Sequence, residues 1–214
     1  MARTESGKVI TEGRGRHAPI AWKHQLDRSE QFLVREAAER IANYRGYGKS
    51  ANAWKRGLSR SIALPNSTGV LRDDVVPFAI GLAGEVAVAI YLGGSIDDCL
   101  RHAGDSGNDL VVNGVKMQIK TRRSDSSTAS SKHSLVRVVD YKGRNVTPTS
   151  PLLVLCELGV VSWQVSLLGW LKTSDATSLP QVKARQKGHS HLNVEVPDSM
   201  LEPMPELRGL VKCH

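Results

Sequence analysis

The sequence has few cysteines and no long apolar run, and each shortage argues against a class of protein. Its three cysteines, Cys99, Cys156 and Cys213, are odd in number and far apart, and no Cys-X-X-Cys motif occurs. Neither a disulfide framework nor a zinc site of the usual spacing is expected. The cysteine content is typical of a reducing compartment, so we expect the protein in the cytoplasm.

Two further shortages argue against a membrane or secreted protein. The longest apolar run, FAIGLAGEVAVAIYLGG at residues 78–94, is short for a membrane span and carries Glu85 at its centre. The polar stretch MARTESGKVITEGRGRH has no apolar core, so no signal peptide is expected. The sequence therefore predicts a soluble protein with no membrane partner.

Positive charge is what the chain has in excess. Lys and Arg number 29 against 21 Asp and Glu, which gives a net charge of +8. A balance of this kind favours a polyanionic partner, most often nucleic acid. A basic but inert surface is the alternative, and charge alone does not decide between them.

The chain divides into three predicted parts: a flexible basic arm (1–20), a helical and basic region (21–70) and an α/β core (71–214). Apolar residues at three- and four-residue steps predict a helix from Asp27 to Tyr44. Its predicted inward face comprises Phe32, Leu33, Ala37, Ile41 and Tyr44. The segment RGYGKSANAWKRGLSR (45–60) interleaves aromatic and basic residues, which is typical of a phosphate-binding and base-stacking surface and equally of a connector anchored by a tryptophan. The candidate nucleic-acid contacts in this segment are Lys49, Trp54, Lys55 and Arg56.

The core pattern alternates helix and strands. A buried helix is predicted at 77–92, started by Pro77 and ended by Gly93. Strands are predicted at 107–121, 135–140, 151–159 and 160–170, and a strand followed by a short closing segment at 191–207.

The stretch GDSGNDLVVNGVKMQIKTRR (104–123) predicts a hairpin, because Asn113-Gly114 is the strongest short signal for a two-residue turn. Side chains alternate between the faces of a strand. One face then collects Leu110, Val112, Val115, Met117 and Ile119, and the other collects Asp109, Val111, Lys116, Gln118 and Lys120. Asp109 faces Gln118, and Lys120 lies one step further along. An ordinary hairpin with one wet face is the alternative.

Glu85 favours a functional interpretation of that face. Its helix is apolar almost all round and should be buried, and a buried carboxylate needs a cation or several donors. Lys120 and a metal ion are the candidate partners. Glu85, Asp109 and the amide oxygen of Gln118 form a hard oxygen set that suits Mg²⁺, with Mn²⁺ as a substitute, rather than zinc.

The order of GLAGEVAVAIYLGG, GNDLVVNG and MQIK resembles the PD-(D/E)XK nuclease superfamily across roughly residues 75–207, in a variant with glutamine at the usual acidic position. The resemblance implies a restriction-endonuclease-like α/β fold, in which helices flank a central mixed β-sheet, here with an N-terminal helical extension. It also implies a metal-dependent DNA endonuclease. The implied catalytic residues are Glu85, Asp109, Gln118 and Lys120, and the implied metal ligands are Asp109, Glu85, Gln118 and the backbone carbonyl of Ile119. Arg122, Arg123 and Lys132 would contact phosphates.

Several alternatives stay open. Gln118 removes one negative charge from the site, so a non-catalytic DNA-binding protein on the same fold is the main alternative, and an RNA-directed protein is a third. Restriction, homing, junction-resolving and repair roles are not separated. Cutting both strands would favour a homodimer or larger assembly. The family implies a prokaryotic cell or the host of a phage or mobile element.

Overall fold

The computed structural model describes residues 22–44, 75–95, 109–124, 133–140, 143–159, 162–183 and 191–212. The elements in chain order are β1 (Trp22–Gln25), α1 (Arg28–Tyr44), α2 (Val76–Leu92), β2 (Leu110–Val112), β3 (Val115–Arg123), β4 (His133–Val139), β5 (Leu152–Gly159), β6 (Gln164–Lys172), α3 (Thr173–Thr177), β7 (Gln181–Lys183), β8 (Leu192–Pro197), a short 3₁₀ helix (Asp198–Met200) and α4 (Met204–Lys212). None of the helices in these ranges combines the length and apolarity needed to cross a bilayer.

The strands form two sheets. A mixed five-stranded sheet has the order β1-β6-β5-β3-β2, in which β3 and β5 are parallel and the other neighbours are antiparallel. A three-stranded antiparallel sheet has the order β4-β8-β7. The prediction of a mixed α/β protein is therefore confirmed, and the second sheet is a feature that the sequence pattern did not predict.

The core has two apolar layers, one on each face of the five-stranded sheet. On one face Met117, Val154 and Cys156 pack with the residues of α1, α2 and α4. On the other face Leu153 and Leu155 pack with Val136 of β4 and the valines of β8. Because β5 is covered on both faces, it consists of an almost continuous apolar run rather than an alternating pattern.

Helix α2 is the predicted buried helix. Pro77 lies in its first turn, and Gly93 ends it in the left-handed conformation with φ 76°. The N–H of Gly93 donates to the carbonyl of Ile90 at 3.2 Å, and that of Gly94 donates to Ala89 at 2.8 Å. These bonds satisfy carbonyls that the helix end would otherwise leave open.

Helix α1 begins where the pattern predicted, but its inward face differs. Phe32 and Leu33 are 61% and 36% exposed, so their predicted place on the buried face is wrong. The buried positions are Val34, Ala37, Ala38 and Ala42. Alanines allow α1 to pack closely on α2, which presents Ala79, Ala83 and other small residues. Ala37 and Ile41 of the predicted face do pack against the core, so the prediction was wrong at Phe32 and Leu33 but not along the whole face.

The first described residues belong to the same core. Strand β1 pairs with β6 along the sheet edge, and α1 packs against α2. The expected boundary between residues 70 and 71 lies outside the described residues, as do the basic arm (1–20) and the basic segment 45–60.

Candidate active site

The β2–β3 hairpin has the predicted turn and register. Asn113 and Gly114 adopt positive φ angles of 48° and 79°, as a two-residue turn of type I′ requires. Val112 pairs with Val115 and Leu110 with Met117. The apolar face is buried, whereas Val111 on the opposite face is 52% exposed. The turn and the alternation of the sequence therefore determine which side chains of the hairpin face away from the core.

Asp109 lies at the edge of the sheet, immediately before β2. Its Oδ2 accepts a hydrogen bond of 2.8 Å from the backbone N–H of Ile119 and one of 2.5 Å from Nε2 of Gln118. Its backbone N–H donates to the carbonyl of Met117. In an extended strand the carbonyl of a residue points to the same side as its N–H, so the carbonyl of Ile119 faces the edge of β3 at which Asp109 lies.

Lys120 completes the described part of the site. Its Nζ lies 3.9 Å from Oδ2 of Asp109, and the lysine side chain is 38% exposed against 18% for the aspartate. The carboxylate is thus mostly shielded from solvent, while the amine reaches it. An ammonium in this position can contact a phosphate or a water without leaving Asp109.

Gln118 presents its amide nitrogen, rather than its oxygen, to Asp109. To serve as a metal ligand, its amide would have to rotate by about half a turn, because only the oxygen carries lone pairs for a cation. In the arrangement described, Gln118 orients the carboxylate of Asp109.

Glu85 reaches the sheet from the helix side. It is 8% exposed, and its neighbour Gly84 packs so closely on β3 that a Cβ there would overlap the hydroxyl of Thr121. Burial, and secondarily the negative charge of Glu85, raises the pKa of the Cys156 thiol on β5. Thr121 and Cys156 are paired neighbours in the sheet. Glu85 is therefore held against this pair.

The predicted residues thus form two groups. Asp109, Gln118 and Lys120 are in contact at the sheet edge. Gln118 and Lys120 alternate along β3 with the buried Met117 and Ile119, so they project from the face opposite the helices, whereas Glu85 lies on the helix face. A cation bound by both Asp109 and Glu85 would therefore have to lie at the edge of the sheet.

The donor chemistry of the edge fits a hard divalent cation. Oδ1 of Asp109 accepts no hydrogen bond from a described residue, and the carbonyl of Ile119 lies on the same side. Oxygen donors of this kind suit Mg²⁺. Within the described ranges no cluster of three or more His, Cys, Asp or Glu side chains could hold a metal ion, so a site here would combine carboxylate with amide and backbone oxygens.

Arg122, an expected phosphate contact, has partners within the fold that match its charge. Its Nε donates to Glu157 at 2.8 Å, and its two terminal nitrogens donate to the two oxygens of Asp198 at 3.0 and 2.8 Å. Burial lowers the pKa of Arg122, but the hydrogen bonds and charges of Asp198 and Glu157 outweigh it and hold that pKa above its usual value. Arg123 also has an interaction within the structure.

The other expected nucleic-acid contacts, Lys49, Trp54, Lys55, Arg56 and Lys132, lie outside the described residues. Sequence reasoning missed the partners of Arg122, since they lie 35 and 76 positions away along the chain. No local signal in the sequence connects them.

No protein-family model matches this chain. Comparisons with curated proteins and with solved structures also gave no significant match. The resemblance to PD-(D/E)XK nucleases therefore rests on the order of the chain's own residues.

Proposed function

We propose that the protein is a Mg²⁺-dependent DNA endonuclease that hydrolyses phosphodiester bonds, on a restriction-endonuclease-like arrangement of its sheet. The observation that carries the proposal is the grouping at Asp109, where the Ile119 N–H lies 2.8 Å and the Lys120 amine 3.9 Å from one carboxylate oxygen. A carboxylate, a backbone carbonyl and an amine at one sheet edge can bind a hard cation and a phosphate together.

Each residue has a separate task in this proposal. Asp109 and the carbonyl of Ile119 would hold the cation, with Glu85 contributing from the helix face, directly or through water. A bound divalent cation would polarise a phosphoryl oxygen and lower the pKa of a water molecule. Lys120 would orient the attacking water and, as an ammonium, stabilise the negative charge that develops on the phosphate. Gln118 keeps the carboxylate of Asp109 in place.

The test is cleavage of plasmid, linear and branched DNA by the full chain in Mg²⁺, in Mn²⁺ and in EDTA. We expect metal-dependent nicks with 5′-phosphate ends, and a loss of about 100-fold or more for Lys120→Ala. Lys183→Ala, at an exposed position on β7, removes the same charge from a distant surface and should cleave like the wild type. The proposal would be overturned if no DNA substrate is cleaved in either metal, or if Lys120→Ala cleaves as fast as the wild type.

A non-catalytic DNA-binding protein on the same fold is the second candidate. The hydrogen bond from Nε2 of Gln118 to Asp109 favours it, because the amide satisfies the carboxylate without a cation. This candidate predicts DNA binding that weakens with salt and is the same in Mg²⁺ and EDTA. A metal-dependent nick that requires Lys120 would exclude this second candidate.

A further inference from the structure

The outer side of α1 carries exposed apolar surface. Phe32 is 61% exposed, more than any other large apolar residue of the described ranges, and Leu33 beside it is 36% exposed. The buried Val34, Ala37 and Ala38 lie on the opposite side of the helix, which packs against α2. Single apolar residues are common on protein surfaces. The charges around Phe32 therefore have to decide whether this side of α1 has a partner.

Two opposite charges flank Phe32 at equal distances along the helix. Arg28 lies four residues before it and Glu36 four residues after it, each about 6 Å along the axis. Both are exposed, and neither forms an ion pair with a described residue, whereas Arg35 and Glu39 pair with each other at 3.2 Å. Residues four apart form one row on the surface of a helix. Arg28, Phe32 and Glu36 are therefore a row, here called the Phe32 row, with basic, apolar and acidic positions in that order.

The Phe32 row is complementary to its own reverse. If a second copy of α1 crosses the first in the antiparallel sense, with a two-fold axis beside Phe32, Arg28 of each copy faces Glu36 of the other. Packing of such i, i+4 rows against each other is the commonest way in which helices cross. Because a two-fold axis uses the same patch on both copies, the ion pair forms twice. A nucleic acid, in contrast, would be repelled by the carboxylate of Glu36 within the row.

We propose that the Phe32 row, together with Leu33, joins two copies of this chain in a symmetric homodimer. The phenyl ring of Phe32 packs against the same ring of the second copy, and Leu33 lies beside the two rings. A single crossing of two helices buries less area than a standard protein interface, so the dimer is weak and depends on concentration. The two ion pairs set the antiparallel orientation of the helices more than they raise the affinity.

Hydrogen bonds hold α1 in place before a partner binds. The N–H of Glu30 donates to Oδ1 of Asp27 at 2.9 Å, and the N–H of Asp27 donates to Oε2 of Glu30 at 2.8 Å, which is a reciprocal cap at the start of the helix. The same Oε2 lies 2.9 Å from Nε2 of His24 and fastens the helix to β1. Association therefore needs to order little more than the side chains of the interface.

A dimer formed through α1 contains two candidate active sites. Helix α1 packs against α2, the helix that carries Glu85. One site for each strand of a duplex would follow, and this consequence rests on the proposed function. Association through the Phe32 row is itself independent of cleavage.

The experiment is sedimentation equilibrium of the full chain across the micromolar range, in EDTA and without DNA. We expect the wild type to pass from monomer to dimer as its concentration rises. Arg28→Glu and Glu36→Arg should each weaken the dimer about tenfold or more, because like charges then face each other twice. The combined variant Arg28→Glu/Glu36→Arg restores both ion pairs in reverse and should regain the wild-type affinity. Lys183→Glu/Glu206→Arg, at exposed positions on β7 and α4, is the matched control and should change nothing.

A second pair of variants tests the apolar part of the interface. Phe32→Ser should weaken the dimer about tenfold or more, because the burial of two phenyl rings is lost. Leu135→Ser on β4, at a position that is 59% exposed, should leave the affinity unchanged. Circular dichroism of each variant confirms that the chain is folded.

Three results would overturn the inference. The first is a wild type that stays monomeric at every concentration, and the second is a combined charge variant that dimerises no better than the single ones. The third is a Phe32→Ser dimer as tight as the wild type, which would assign association to another surface. A monomeric wild type whose DNA affinity falls in Phe32→Ser would assign the row to nucleic acid. A dimer that depends on the Phe32 row but cleaves no DNA in either metal would overturn the endonuclease proposal and leave the interface standing.

Discussion

The side-chain amide of Gln118 donates a 2.5 Å hydrogen bond to Oδ2 of Asp109. Oδ2 of Asp109 therefore has hydrogen-bond partners without a cation, whereas Oδ1 accepts no hydrogen bond from a described residue. The chemistry of this pair determines how strongly the site depends on metal, and this dependence can be measured through stability as well as through cleavage.

Gln118→Glu should make the stability of the protein depend on Mg²⁺. In EDTA the two carboxylates repel each other and the donated hydrogen bond is lost, so we expect the free energy of unfolding to fall by roughly 1–3 kcal/mol. Millimolar Mg²⁺ should restore most of the lost stability. Thermal and urea unfolding with and without Mg²⁺ measure both effects.

The control for this change is Gln181→Glu, which adds the same charge at an exposed position on β7. Its stability should not respond to Mg²⁺. An equal response of both variants would show that the cation acts on net charge, and would contradict a cation site at Asp109.

Arg122→Gln should destabilise the protein without changing the DNA affinity that the proposed function predicts. Removal of the guanidinium leaves Glu157 and Asp198 partly buried beside each other, which we expect to cost about 2 kcal/mol at this partial exposure. Urea unfolding measures the loss, and Arg137→Gln, at an exposed position on β4, is the matched control.

The combined variant Arg122→Gln/Glu157→Gln/Asp198→Asn should regain part of the stability, because no charge is then left unmatched. Its DNA affinity and the slope of that affinity with salt should equal those of the wild type. A slope reduced by about one unit would instead mark Arg122 as a phosphate contact.

Substitution by alanine should change the stability in opposite directions at two glycines of α2. A Cβ at Gly84 would overlap the hydroxyl of Thr121, so Gly84→Ala should lower the free energy of unfolding by about 1–3 kcal/mol. A Cβ at Gly81 meets nothing within 4 Å, so Gly81→Ala should raise it by about 0.5–1 kcal/mol. Chemical unfolding curves measure the two changes side by side.

Thr121→Ala should rescue Gly84→Ala, since the hydroxyl that the new methyl group meets is gone. The Thr121 oxygen is buried and has no hydrogen-bond partner in the described structure, so its removal leaves no donor unpaired there. Additive losses in the double variant would contradict the contact between helix and strand.

Cys156 should be inert in the folded protein. Burial and the neighbouring Glu85 raise its pKa, so less of the reactive thiolate is present at any given pH than for a free cysteine. In a chain with Cys99→Ser and Cys213→Ser, we expect labelling at pH 8 only at the rate of structural opening. Addition of denaturant should expose the thiol fully, and fast labelling of the native chain would contradict the burial of Cys156.

Local chemistry made the hairpin predictable. Asn113-Gly114 specifies a turn with positive φ angles, and the alternation on either side then fixes the register and the face that each side chain occupies. The burial of Glu85 was predictable in the same way, from a helix that is apolar all round. These inferences use residues that are neighbours along the chain.

Contacts between distant segments were not predictable. The pairing of β4 with β8 and the ion pairs of Arg122 join residues separated by loops whose course no local pattern specifies. The exposed Phe32 shows the same limit, because the side of α1 that is buried depends on the small residues of α2 rather than on α1 itself. Placement of Glu85 on the opposite face from Lys120 also depends on that helix packing.

The pairing of β1 with β6 has a consequence for biosynthesis. Trp22 is matched with Leu167, so most of the chain is synthesised between the two partners. The nascent polypeptide must keep its first strand unpaired while the ribosome completes the rest of the sheet, and the edge then closes as a late step. We therefore expect this edge of the sheet to close only after Leu167 has been synthesised, and a chaperone that shields the segment around Trp22 during elongation should raise the yield.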